Sequence, residues 1–102
     1  FVSGWTSPGA TKNVASVGIA QGTGVITITF QSVIDNGATL TLTPIDGARA
    51  TGGPLAGTAT GSTIPTSSSI TWVCASTGST VSNSNVVKGS IKDKYVPAEC
   101  RT

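Results

Sequence analysis

Ala15-Ser16-Val17-Gly18-Ile19-Ala20-Gln21-Gly22-Thr23-Gly24-Val25-Ile26-Thr27-Ile28-Thr29-Phe30 decides the fold class of this chain. Ala15, Val17 and Ile19 alternate with small residues, and Ile26, Ile28 and Phe30 alternate with threonine. A period of two puts each apolar set on one face of an extended strand. Between the runs, Gly22-Thr23 suits a two-residue type II′ turn. Pairing Gln21 with Gly24 then sets Ile19 opposite Ile26, Val17 opposite Ile28 and Ala15 opposite Phe30, so both apolar sets share a face.

Working outward, Ala38-Thr39-Leu40-Thr41-Leu42-Thr43 reads as a third strand, leucines in and threonines out. Asn36-Gly37 suggests a tight type I′ turn before it. That turn alone would place Phe30 and Ile28 on the threonine face, so a bulge or an odd-length loop is expected between Gln31 and Gly37. Pro44 to Ser69 reads as a long surface excursion with turn signals at Asp46-Gly47, Gly52-Gly53-Pro54 and Ile64-Pro65, tacked to the core by Leu55 and Ile64. Its Ser/Thr density would permit O-glycosylation, but a merely soluble loop accounts for it more simply. Ser69-Ile70-Thr71-Trp72-Val73-Cys74 is the fourth strand, with Ile70, Trp72 and Cys74 on one face and Trp72 expected in the core. The polar stretch that follows has Val86-Val87 and Tyr95-Val96-Pro97 as its expected packing points.

Composition agrees with a mostly β chain. In 102 residues charged side chains make up 10% and aromatics 5%. Gly, Pro, Ser and Thr interrupt every window long enough for a helical period. A chain of this length supports one domain, residues 1–102. Cys74 and Cys100, the only two cysteines, fit one disulfide formed in an oxidising compartment.

The same inventory excludes several functions. With no histidine and its only two thiols expected to pair with each other, the chain lacks the usual general base and thiol nucleophile. Ser90 near Lys92 on a polar loop is what chance spacing provides. Asp35, Asp46, Asp93 and Glu99 show no paired or calcium-loop spacing, and no metal or cofactor is expected. Gly22-Thr23-Gly24 and Gly52-Gly53 lack the lysine and following helix of a phosphate cradle. The net charge of +2 comes from scattered residues. Lys88, Lys92 and Lys94 gather near the C-terminus, where a solvated loop face is the simpler reading than a phosphate-binding patch. No run is apolar enough to cross a membrane as a helix, and Phe1-Val2-Ser3-Gly4-Trp5 is not a signal peptide, so a processed or truncated product is expected.

Ile70-Thr71-Trp72-Val73-Cys74, a polar loop, and then Lys94-Tyr95-Val96-Pro97-Ala98-Glu99-Cys100-Arg101 resemble the last strand, disulfide-bounded loop and closing segment of type IV pilins. Val25 to Phe30, Ala38 to Pro44 and Asp46-Gly47 are similar to that family's central strands and the turn after them. The resemblance implies an α+β fold in the intact subunit, a long N-terminal helix packed on a four-stranded antiparallel sheet. This chain, without that helical spine, would be its β-rich head, with long loops and a C-terminal disulfide-bounded loop. It implies an extracellular, non-enzymatic pilus subunit exported from a bacterial cell, serving attachment, twitching motility or DNA uptake. Other pilin subunits are the implied partners, with a host glycan or abiotic surface met through the disulfide loop and DNA a weaker candidate. Cys74 and Cys100 define that loop, and Lys88, Lys92, Lys94 and Tyr95 are its candidate contacts. Without the helix, Ile19, Ile28, Leu40, Leu42 and Trp72 are expected to be covered by loops or to leave an apolar patch. A freestanding extracellular β-domain that binds a glycan or protein, and a minor pilin or secretion pseudopilin, are the alternative readings.

Overall fold

A computed structural model describes residues 1–67 and 69–102. The five strands are β1 (Val14–Ile19), β2 (Ile26–Phe30), β3 (Thr39–Asp46), β4 (Gly53–Pro54) and β5 (Ile70–Ala75). They form one antiparallel sheet, in which β3 pairs with β2 and with the two-residue β4 as well as with β5. Since β4 continues the line of β2, the sheet has the width of four strands, as expected. Helical structure among the described residues is confined to two 3-10 turns, Asp93–Tyr95 and Ala98–Cys100.

The β1–β2 register places Ile19 opposite Ile26 and Val17 opposite Ile28, as the alternation predicts. Phe30, however, faces Val14, because a bulge between Val14 and Ser16 leaves Ala15 as the extra residue. The predicted type II′ turn is replaced by a longer loop. Ala20 and Gly24 N–H groups donate to Val25 and Ala20 carbonyls, at 2.9 and 2.8 Å, and Gly24 rather than Gly22 takes positive φ, 76°.

Between β2 and β3, Phe30 N–H donates to Ala38 O, so residues 31–37 form the odd-length loop that parity demands. The left-handed pair is Asp35-Asn36, with φ of 46° and 56°, inside a turn closed by Gly37 N–H on Ile34 O. The I′-like turn therefore sits one residue earlier than Asn36-Gly37 suggests. β3 also runs on to Asp46. Pro44 is tolerated because it falls between Leu42, the last β3 residue paired with β2, and Ile45, the first paired with β4, where no ladder donor is needed.

Cross-strand partners share a face, so the registers sort the sheet into two. Val17, Ile19, Ile26, Ile28, Leu40, Leu42, Trp72 and Cys74 lie on a leucine face, and Thr27, Thr41, Thr43, Ile45, Thr71, Val73 and Ala75 on a threonine face. The expectation of leucines in and threonines out is overturned. Thr41 and Thr43 are each 3% exposed, and Ile45, Val73 and Ala75 are buried beside them under Val86 and Val81. Trp72, expected in the core, is 54% exposed.

The reason is the chain after β5. It first runs over the threonine face, where Thr41 Oγ1 donates to Val87 O and Thr43 Oγ1 accepts from Val87 N–H at 3.1 Å. These bonds satisfy hydroxyls that would otherwise be costly to bury. It then turns around the sheet at Gly89, where an added Cβ would meet Thr39 O at 2.2 Å. Ser90 and Ile91 N–H groups donate to that same carbonyl. Beyond it, Ile91, Val96 and Cys100 pack on Ala38, Leu40, Phe30, Ile34 and Cys74. The tail covers one end of the leucine face and leaves the other open.

Of the expected packing points, Val86 and Val96 are buried, while Val87 and Tyr95 are 47% and 50% exposed. Leu55 reaches the leucine face, whereas Ile64, at 89% exposed, tacks nothing down. The excursion is held instead by Asp46, whose carboxylate accepts from Thr66 and Ser67 N–H at 2.7 and 2.8 Å.

Candidate functional site: the disulfide loop and the open leucine face

Cys74 projects from β5 on the leucine face and bonds to Cys100 in the second 3-10 turn, closing a loop with a sequence separation of 26. The predicted cross-link is present. Inside it the framework is polar and fully partnered. Asp93 accepts from Ser76 Oγ at 2.6 Å and from Gly78 N–H at 2.9 Å. Ser76 N–H donates to Cys100 O. Asn83, 8% exposed, donates its carboxamide to Arg49 O and Gly52 O, which joins the loop to the excursion. Asn83 and Ile91 were not legible as anchors in a stretch of mixed polar residues, because nothing local marks which Asn or Ile turns inward. Among the described residues, every buried side-chain nitrogen or oxygen has a partner.

The predicted contact residues all lie on the loop's outer surface. Lys88, Lys92, Lys94 and Tyr95 are exposed. Lys94 Nζ stands 5.1 Å from the Tyr95 ring centroid, within cation–π range. Lys92 is differently engaged, with Nζ 3.1 Å from Asp35 Oδ1 and its backbone N–H donating to Asp35 Oδ2 at 2.8 Å. That backbone bond, followed by the ammonium, holds the Asp35 carboxyl below its ordinary value. Gly89 separates Lys88 from the other three along the chain, at the point where the loop changes face.

The second feature is the uncovered part of the leucine face. Phe1, Ile19, Ile26, Pro44, Leu55, Ile70 and Trp72 line an open groove of about 300 Å³. Ile70 and Trp72 are 44% and 54% exposed. No group of three or more potential metal ligands occurs among the described residues, and none of their helices is long and apolar enough to cross a membrane.

The described residues thus form one antiparallel sheet, closed by a disulfide loop and apolar on one partly open face. A family model described as pilin, bacterial filament, matches residues 2–101. The chain belongs to the pilin family, whose members are structural subunits of bacterial surface filaments. Comparison with curated proteins and with solved structures returned no significant match.

Proposed function

We propose that this chain is the head of a type IV pilus subunit whose disulfide loop faces outward and takes part in attachment and in contacts between subunits. Twitching motility would follow from the same filament. The observation that carries the reading is the two-sided disulfide loop. Val86, Ile91, Val96 and Cys100 are buried against the sheet while Val87, Lys88, Lys94 and Tyr95 face solvent, so a recognition surface is presented on a rigid frame. The open leucine face supports the accompanying proposal that the subunit's helical segment packs there, since an exposed apolar groove of this kind marks an interaction surface. The pairing of Lys92 with Asp35 leaves fewer free cations for DNA phosphates and favours surface attachment over DNA uptake.

The test is a triple substitution, Lys88→Ala, Lys94→Ala and Tyr95→Ala, in bacteria assembling this subunit. Sheared filament yield is expected to hold while attachment to glass and to host cells falls. Unchanged attachment at equal filament yield would sink the adhesive role.

A further inference from the structure

Asn36 differs from the chain's other asparagines both in sequence and in setting. Of the four, Asn13 and Asn85 precede valines and Asn83 precedes Ser84, while Asn36 precedes a glycine. The carboxamides of Asn83 and Asn85 are held in place, donating to Gly52 O at 2.9 and 3.3 Å, whereas Asn36 is exposed. It lies in the turn between β2 and β3, where Asp35, Asn36 and Gly37 take φ of 46°, 56° and 81°. Left-handed backbone of this kind is unfavourable for a residue that carries a Cβ. Around Gly37 there is room, since an added Cβ would meet only Phe30 O, at 3.8 Å. The bond that closes the turn, Gly37 N–H to Ile34 O at 3.1 Å, belongs to a loop whose Ser32, Val33 and Asn36 face solvent, where local opening costs little.

We propose that Asn36-Gly37 is a self-modification site, at which the folded chain deamidates to isoaspartate and so releases the turn's hold on the disulfide loop. The Gly37 nitrogen attacks Asn36 Cγ. As that C–N bond forms, the Cγ–Nδ2 bond breaks, the amide proton passes through water to the leaving nitrogen, and ammonia departs from a five-membered succinimide. Water then opens the ring at either carbonyl. Addition at Cγ gives aspartate, and addition at the main-chain carbonyl gives isoaspartate, in which the chain runs on through Cβ and Cγ. Water is the sole co-reactant, the ring closure is intramolecular, and a glycine leaves its own nitrogen unhindered. The consequence falls on Asp35, the neighbour that the turn presents to the disulfide loop. Its carboxylate accepts from Lys92 N–H at 2.8 Å and pairs with Lys92 Nζ at 3.1 Å. Isoaspartate lengthens the main chain inside this turn and frees residue 36 from its left-handed φ, so the turn no longer aims Asp35 at Lys92. The net charge of +2 falls by one, and the new carboxylate, one residue from Asp35, competes for the same ammonium.

The test is to incubate the native chain, residues 1–102, in warm, mildly alkaline buffer and to separate the products by cation exchange. Peptide mapping with electron-transfer fragmentation then places each added acid and distinguishes isoaspartate from aspartate. A less basic form is expected to accumulate, with its added acid at residue 36 and isoaspartate as the larger part. In the isolated isoaspartyl form the Lys92 amide is expected to exchange with deuterium about ten-fold faster than in the unmodified chain, while the Val87 amide, bonded to Thr43 Oγ1, stays slow. Asn36→Gly keeps the left-handed turn and removes the carboxamide, and is expected to abolish the less basic form. Mapping of the unsubstituted chain needs no variant, so it decides the site even where Asn36→Gly does not fold. Absence of the less basic form, its appearance only in urea, or an added acid at Asn13, Asn83 or Asn85 instead would overturn the site. Aspartate alone at residue 36, or a Lys92 amide unchanged in the isoaspartyl form, would overturn the release of the loop.

Discussion

The two faces of the sheet carry opposite chemistry and opposite burial. On the threonine face, Thr41 and Thr43 are almost fully enclosed, their hydroxyls bonded to the loop above them and Ile45, Val73 and Ala75 packed alongside. On the leucine face, Trp72 and Ile70 stand about half in solvent, although this is the side with the larger apolar groups. The difference teaches that burial follows the available cover and not side-chain hydrophobicity alone. A threonine presents a branched, β-favouring side chain and one hydrogen-bonding group, and a strand-like loop that returns one donor or acceptor makes it a good interior residue. The leucine face lacks such a loop at its open end, so Ile70 and Trp72 remain in solvent there.

The largest way to break this contrast is to cut the bond that ends the tail. Cys74→Ala with Cys100→Ala is expected to cost about 3 to 4 kcal/mol in urea unfolding, from the loop-closure entropy for the observed separation of 26. It should also release Ile91 and Val96 from Leu40. Next comes the point where the tail changes face. Gly89→Ala would push a methyl into Thr39 O and the Leu40 Cα, both backbone, with an expected loss of about 2 to 3 kcal/mol as the crossing is forced apart. Third, Thr43→Val removes the acceptor of the Val87 amide while keeping the side chain's shape. About 1 to 2 kcal/mol is expected, whereas Ile70→Thr on the open face should stay within about 0.5 kcal/mol. An equal cost for the last two in the same denaturation series would erase the contrast.

The smallest effect is acid sensitivity at the edges of the sheet. The N–H groups of Thr66 and Ser67 hold the Asp46 carboxyl below its ordinary value, as the Lys92 N–H does for Asp35. A lowered folded-state pKa contributes stability that is whole above the unfolded value of 3.8 and is lost as pH falls through the folded one. The melting temperature should therefore be insensitive to these groups between neutrality and the unfolded value, then decline in stronger acid. Asp46→Asn should flatten that decline while lowering the plateau.

Much of this was legible in the residues. Alternation alone aligned Ile19 with Ile26 and Val17 with Ile28, and the parity conflict before Leu40 correctly demanded an odd loop. The disulfide followed from two cysteines in a chain of this composition. What alternation could not reveal is which of two alternating faces a later segment will cover, because that cover is irregular chain whose inward residues, Val86, Ile91 and Asn83, follow no period. One signal was available. Ile45, Val73 and Ala75 share parity with Thr43 and Thr71, so the threonine side carries its own apolar run once β3 is extended through Pro44 and β5 through Ala75. For the candidate site, the positions of Lys88 and Lys94 on an exposed loop were readable, whereas Tyr95, expected to pack, stands half in solvent, and the ion pair of Lys92 with Asp35 depends on a turn 57 residues away in sequence.

The most direct test of the central claim is an isotope-edited NOESY spectrum of residues 1–102. The structure predicts contacts from the Thr43 side chain to the Val86 and Val87 amides, slow exchange of the Val87 amide, and no contact from Leu42 to either valine. Contacts from Leu42 to Val86, with Thr43 free in solvent, would contradict the assignment of the two faces.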